Sequence, residues 1–246
     1  MENIIGLFAM VALIALCSSF VQSVTGFAFG IISMIFLPIL MPYTEANALS
    51  PMLSMLTSLT VAIAMRKSIS YKNLIFTLLG CAVSTYAAVE FIKTQANDTL
   101  ILLLGIALVL LSVYFFFFSD KIRIVPTWYT GLLVGLISGA MDGLFSIGGP
   151  PVVIYYMQSE KSFDRYLATL SAFFVASGVI TTVTKAAAGF VTENVLICFA
   201  AGVVGMLIGS LAGKLTRDKI KPNIIRKAVY AVMAISGIIN IFTSIL

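Results

Sequence analysis

Ser146-Ile147-Gly148-Gly149-Pro150-Pro151 interrupts an otherwise apolar stretch in the second half of the chain, and Thr25-Gly26-Phe27-Ala28-Phe29-Gly30 interrupts another about 120 residues earlier. A polar side chain stands four positions ahead of each interruption, Gln22 before Gly26 and Asp142 before Ser146. Hydrocarbon tolerates neither without a partner or water. A duplicated helix break with a polar marker is the pattern of a secondary transporter whose two halves share one intramembrane site.

Composition agrees. With 60% hydrophobic and only 10% charged residues and a mean hydropathy of +1.09, the chain has too little polar surface for a soluble globule. The first apolar run, 4–24, has Glu2 and no Lys or Arg ahead of it, and a run of about 20 residues matches a spanning helix better than a signal-peptide core. It is therefore read as retained. Cys17, Cys81 and Cys198 lie inside apolar runs without CxxC spacing, so neither disulfides nor a thiolate metal site is indicated. The chain has no histidine, which removes Ser-His catalysis and His-ligated zinc despite the tempting Gly143-Leu144-Phe145-Ser146-Ile147-Gly148. No P-loop occurs, so neither an enzyme nor an ATP-driven pump is expected, and no cofactor is called for. The net charge of +5 reflects short basic loops, not a nucleic-acid-binding face.

Breaks in the apolar pattern delimit ten segments: 4–24, 27–40, 48–65, 74–91, 100–118, 128–145, 150–157, 166–185, 195–213 and 228–246. Eight are long enough to span. The second and seventh follow the breaks and read as half-helices or re-entrant arms, because the seventh falls well short of a core roughly 30 Å thick. If all ten alternate in direction, every one of the 15 Lys and Arg residues except Lys93 and Lys185 falls on one side, which becomes the cytoplasmic side with both termini outside. Bending at each break within a single crossing would split the charges almost evenly. Hairpins that dip in and return give the same parity, so the depth of the two short segments stays open.

Five segments per half is an odd number, so a duplicated half enters the membrane inverted. The expected fold is all-α and polytopic, with two inverted-topology repeats, 1–120 and 121–246, containing eight full transmembrane helices and two short ones. At each break the following half-helix offers free backbone N–H groups and about half a positive charge, a cradle for an oxyanion. Gly26, Gly30, Gly148 and Gly149 allow close backbone approach, Pro150 and Pro151 suit a first helical turn, and Thr25 and Ser146 offer hydroxyls. The plainer alternative is that these small residues only let helices pack, as Gly26-xxx-Gly30 would. Asp142 is the one carboxylate well inside an apolar stretch, a candidate proton carrier; equally, it caps the half-helix or bonds to Gln22. Lys185, late in the eighth segment, reads as an anion attractor in an outer vestibule or as a snorkelling side chain. Phe27, Phe29, Phe145, Tyr155 and Tyr156 line the cavity or simply pack.

The stretches Phe20-Val21-Gln22-Ser23-Val24-Thr25-Gly26-Phe27-Ala28-Phe29-Gly30, with Pro38 following, and Gly139-Ala140-Met141-Asp142-Gly143-Leu144-Phe145-Ser146-Ile147-Gly148-Gly149-Pro150-Pro151-Val152-Val153-Ile154-Tyr155 resemble the paired signatures of the TauE/SafE sulfite exporter family. Segment layout extends the resemblance over nearly the whole chain. It implies a bacterial or archaeal inner-membrane carrier of small sulfur-containing or organic anions such as sulfite, sulfonates or sulfoacetate. The chain departs from the family pattern at Ala28, where glycine is frequent, and at Asp142, where a small residue is common.

The expected substrate site takes Gln22, Thr25, Gly26, Phe27 and Gly30 from the first break and Ser146, Gly148, Gly149 and Pro150 from the second, with Asp142 as the proton-coupling candidate and no metal. Its partners are a small anion and the lipid bilayer, not nucleic acid; whether the chain forms a homo-oligomer is left open. Two rival readings remain, an anion channel and a membrane scaffold or partner subunit without transport of its own.

Overall fold

A computed structural model describes residues 2–118, 124–216 and 222–245. They form ten α-helices: α1 (Glu2–Thr25), α2 (Phe29–Leu40), α3 (Tyr43–Ala64), α4 (Tyr71–Ile92), α5 (Asn97–Phe118), α6 (Trp128–Phe145), α7 (Gly149–Ser159), α8 (Phe163–Ala187), α9 (Glu193–Thr216) and α10 (Pro222–Ile245), with one 3₁₀ turn at Arg66–Ser68. Eight of these, all but α2 and α7, are long and apolar enough to cross a membrane. The outward-facing surface is apolar, with Leu13, Leu79, Leu110 and Leu207 exposed, as acyl chains require. This is a multi-pass, all-α membrane protein. The 12 residues of α2 and 11 of α7 reach only about 16–18 Å at roughly 1.5 Å per residue.

Local signals explain the helix starts. Thr127 and Thr130 form a reciprocal capping box ahead of α6, Ser162 accepts the Arg165 amide ahead of α8, and Pro150 and Pro151 occupy the first turn of α7. The expected third segment, 48–65, began too late. Helix α3 starts at Tyr43, directly after Pro42 and with Glu45 in its first turn, where the helix dipole favours an acid. The polar run Thr44-Glu45-Ala46-Asn47 interrupted the apolar pattern without interrupting the helix.

Helices α3 and α8 pack against each other at the centre. Burial covers 61% and 56% of their spans, against 22–39% for the other six. Around them α4 packs on α6, α1 on α9 and α5 on α10, while α2 lies between α1 and α3 and α7 between α6 and α8. Exchanging each helix with the one five places later maps these pairs onto one another. Glycine ladders bring the outer pairs into backbone contact: a Cβ at Gly135 or Gly139 of α6 would overlap the Thr77 or Cys81 carbonyl of α4, and one at Gly205 or Gly209 of α9 would overlap the Ala12 or Leu16 carbonyl of α1. In the α5–α10 pair, Phe115 stacks on Tyr230 with ring centroids 4.9 Å apart, whereas Phe116 and Phe117 face outward.

Hydrogen bonds among helix ends and the loops beside them define the two ends of the bundle. The Ser70 amide donates to Thr169, Asn73 donates to Glu160 and Lys214 donates to Thr60. This end carries Arg66, Lys67, Lys72, Lys161 and Arg165 and is called the basic end below. At the opposite end Thr192 and Asn194 donate to Glu45 and the Tyr43 amide donates to Asn97. Lys121, Arg123, Arg217, Lys219 and Lys221, which entered the charge count, lie outside the described residues.

Candidate functional site

Both breaks follow one design. At equivalent positions Gly26 and Ser146 adopt left-handed backbone, with φ of 85° and 57°, and their amides donate to the carbonyls of Gln22 (2.7 Å) and Asp142 (2.9 Å). The chain thus ends one helix in the αL manner and starts another three residues later. Ala28 is also left-handed, φ 85°, a conformation costing a non-glycine residue about 1 kcal/mol or more. The breaks touch. A Cβ on Gly30 would fall on the Ser146 carbonyl, and one on Gly149 would stand 3.4 Å from Phe27 Cβ and 3.2 Å from the Phe174 ring.

Between them lies a cavity of about 30 Å³, room for one or two waters. Gln22, Phe27 and Gly30 line it from the first break, and Ser146, Gly148, Gly149 and Pro150 from the second. Asp142 reaches it from α6, and Ser54 and Ser177 from the central helices. Thr25 and Gly26 stand apart, on a larger chamber of about 370 Å³ that Gln22 also lines.

The polar markers face different partners. Gln22 is clamped to α3: its amide donates to Ser58 Oγ at 2.8 Å, and its carbonyl oxygen accepts from Ser54 Oγ at 3.2 Å. Asp142 bonds not to Gln22 but to α8 and α7. Thr181 donates to its carboxylate at 2.6 Å, and so does the Gly148 amide at the head of α7. The second anion cradle is therefore already occupied by a carboxyl group that the chain itself supplies.

Lys185 completes the arrangement and sits deeper than a vestibule or snorkelling position. It is fully buried, and its ammonium donates to the Asn47 carbonyl (2.8 Å), Ser146 Oγ (2.9 Å) and the Asp142 carbonyl (3.3 Å). Lys185 is the positive charge acting on Asp142. Asn47 offers its carbonyl because of Pro51, which lacks the N–H that would bond four residues back along α3. Ser146 Oγ donates to the same carbonyl at 2.8 Å. Tyr43 and Asn47 then both donate to the Leu144 carbonyl, at 2.5 and 2.7 Å. This polar knot ties α3, α6, α8 and the second break together on the side of the cavity away from the basic end.

The two break hydroxyls are engaged internally, Ser146 as above and Thr25 with the carbonyls of Val21 (2.8 Å) and Phe27 (2.6 Å). Phe27 and Phe29 line the cavity. Tyr155 and Tyr156 belong to the core, where Tyr156 bonds Thr77 at 2.5 Å; Phe145 packs against the core only in part. Sequence reasoning left Tyr43, Asn47, Ser54, Ser58 and Thr181 unnamed. Of these only Asn47 had a local signal, the proline four residues on.

The family model described as Sulfite exporter TauE/SafE matches residues 11–239, both breaks included. No curated protein and no solved structure matches the chain. A match over nearly the full length, together with eight candidate spans, establishes the relationship: the chain belongs to the TauE/SafE sulfite exporter family, a family of membrane transporters.

Proposed function

We propose that this protein is a secondary carrier that exports a small anion of the sulfite, sulfonate or sulfoacetate class, binding it where the two helix breaks meet. The observation that carries the reading is the seat of Asp142. An internal carboxylate rests on the α7 N-terminal amide beside the buried ammonium of Lys185, so the site is shaped and charged for an oxyanion. A substrate anion competes with Asp142 for that seat. Protonation of Asp142 releases the seat, and a monoanion entering with one proton leaves the charge near Lys185 balanced, which hydrocarbon favours.

The exchange symmetry of the helix pairs supports two inverted repeats, 1–120 and 121–246, that rock about the central helices α3 and α8. The larger chamber opens toward the basic end while the Lys185 knot closes the other side, an arrangement suited to one state of an alternating cycle. Charge placement supports an orientation with the basic end in the cytoplasm and both termini outside, and the family resemblance implies a bacterial or archaeal inner membrane.

Counterflow in proteoliposomes with labelled sulfite, a short sulfonate and a carboxylate, with and without a pH gradient, tests the reading. Saturable, exchangeable uptake is expected and uptake should respond to the gradient. Fast flux without exchange would make the protein a channel, and no flux by folded protein would favour a scaffold.

A further inference from the structure

The chamber of about 370 Å³ is more than ten times the size of the gap at the breaks, and nothing in the carrier reading requires it to be more than a way in. Its walls are selective all the same. Among the described residues lining it, Lys214 is the only charged side chain and none is a carboxylate. Lys214 stands at the exposed mouth with its ammonium 2.9 Å from Thr60 Oγ1. Hydroxyls of Thr57, Ser58 and Ser171 follow inward, while Val61, Met65, Phe163 and Leu167 supply an apolar wall. At the inner end Gln22, 5% exposed, lines both spaces and is held across the passage by Ser54 and Ser58.

We propose that this chamber is a second binding station, for an oxyanion carrying a short apolar group, with the charged head at Lys214 and Thr60 and the carbon part against Val61, Met65 and Leu167. Gln22 is the partition between the station and the breaks. The inference rests on the carrier reading and extends it from one site to two in series. One ammonium with no competing carboxylate among the described lining residues favours a monoanion, the apolar wall rewards a hydrocarbon tail, and the small inner gap admits only the head group.

The test is binding of alkanesulfonates from methanesulfonate to pentanesulfonate to the full-length protein in nanodiscs, alongside counterflow of methanesulfonate. Affinity is expected to rise with chain length, by up to about fourfold per methylene that the wall covers. Leu167→Trp, which fills the chamber, should abolish that rise. Lys214→Gln, at an exposed position and with an amide that can still donate to Thr60, should weaken the whole series severalfold and flatten its salt dependence. If methanesulfonate exchanges but affinity ignores chain length, or both variants bind like the wild type, the station is refuted and the carrier reading stands. If no sulfonate binds or exchanges, the station falls together with the sulfonate part of the carrier reading.

Discussion

Replacing Lys185 with methionine removes the one buried cation at the second break and keeps its apolar stem. The Asn47 carbonyl would retain the Ser146 hydroxyl at 2.8 Å and the Asp142 carbonyl would retain the Ser146 amide at 2.9 Å, so neither acceptor is orphaned. The larger effect falls on the Asp142 carboxylate, which keeps Thr181 and the Gly148 amide but loses its countercharge. Breaking a directly contacting buried pair costs about 3–5 kcal/mol. Here the ammonium bonds the Asp142 backbone carbonyl and not its carboxylate, and Asp142 keeps some exposure to the cavity, so the expected loss is smaller, about 1–2 kcal/mol, or roughly 2–8 °C in melting temperature for a chain of this size. The double variant Lys185→Met, Asp142→Asn removes the stranded charge and should recover most of that loss. Thermal melts of the wild type, both single variants and the double variant in one detergent give the coupling as a double-mutant cycle. A double variant no more stable than Lys185→Met would refute the pairing of these charges.

Gly30→Ala puts a methyl on the Ser146 carbonyl, so the breaks cannot meet; transport should vanish, whereas Gly6→Ala, with open space at that position, should match the wild type in both counterflow and melting. Pro51→Ala returns an amide to the Asn47 carbonyl and competes with Lys185 for it; the variant is expected to melt higher, since an interior proline costs a helix about 3 kcal/mol, and to exchange substrate several times more slowly. Unchanged exchange in Pro51→Ala would remove the freed carbonyl from the working site.

Much of this architecture is legible in the residues. The spans are single apolar runs, and a run of about 20 apolar residues has few fates other than crossing a bilayer. The breaks are equally plain, because Gly148-Gly149-Pro150-Pro151 cannot continue a helix but starts one well. The start of α3 was missed because Glu45 and Asn47 are polar for reasons of contact: Glu45 holds the loop before α9 and Asn47 holds the second break. Lys185 could not be assigned from its neighbours in sequence. Its acceptors come from α3, α6 and the break, and only the crossing of α3 with α8 makes them adjacent. The partners of Gln22 and Asp142 are illegible for the same reason, since equivalent positions in the two halves face serines in one case and a threonine and an amide in the other.

The central claim is that a substrate anion and the Asp142 carboxylate compete for one seat at the head of α7. Equilibrium binding of labelled methanesulfonate, ionised throughout the range studied, should be followed against pH in the wild type and in Asp142→Asn. The other titratable groups facing Asp142 are the Lys185 amine and the Cys81 thiol; proton uptake by Lys185 would strengthen anion binding in both proteins alike, so the difference between the two profiles isolates Asp142. Competition therefore predicts that wild-type affinity strengthens on acidification, by up to about tenfold per pH unit across the titration of Asp142, and that Asp142→Asn binds tightly with a clearly shallower profile. A flat wild-type profile, or a variant that keeps the wild-type slope, would contradict the account.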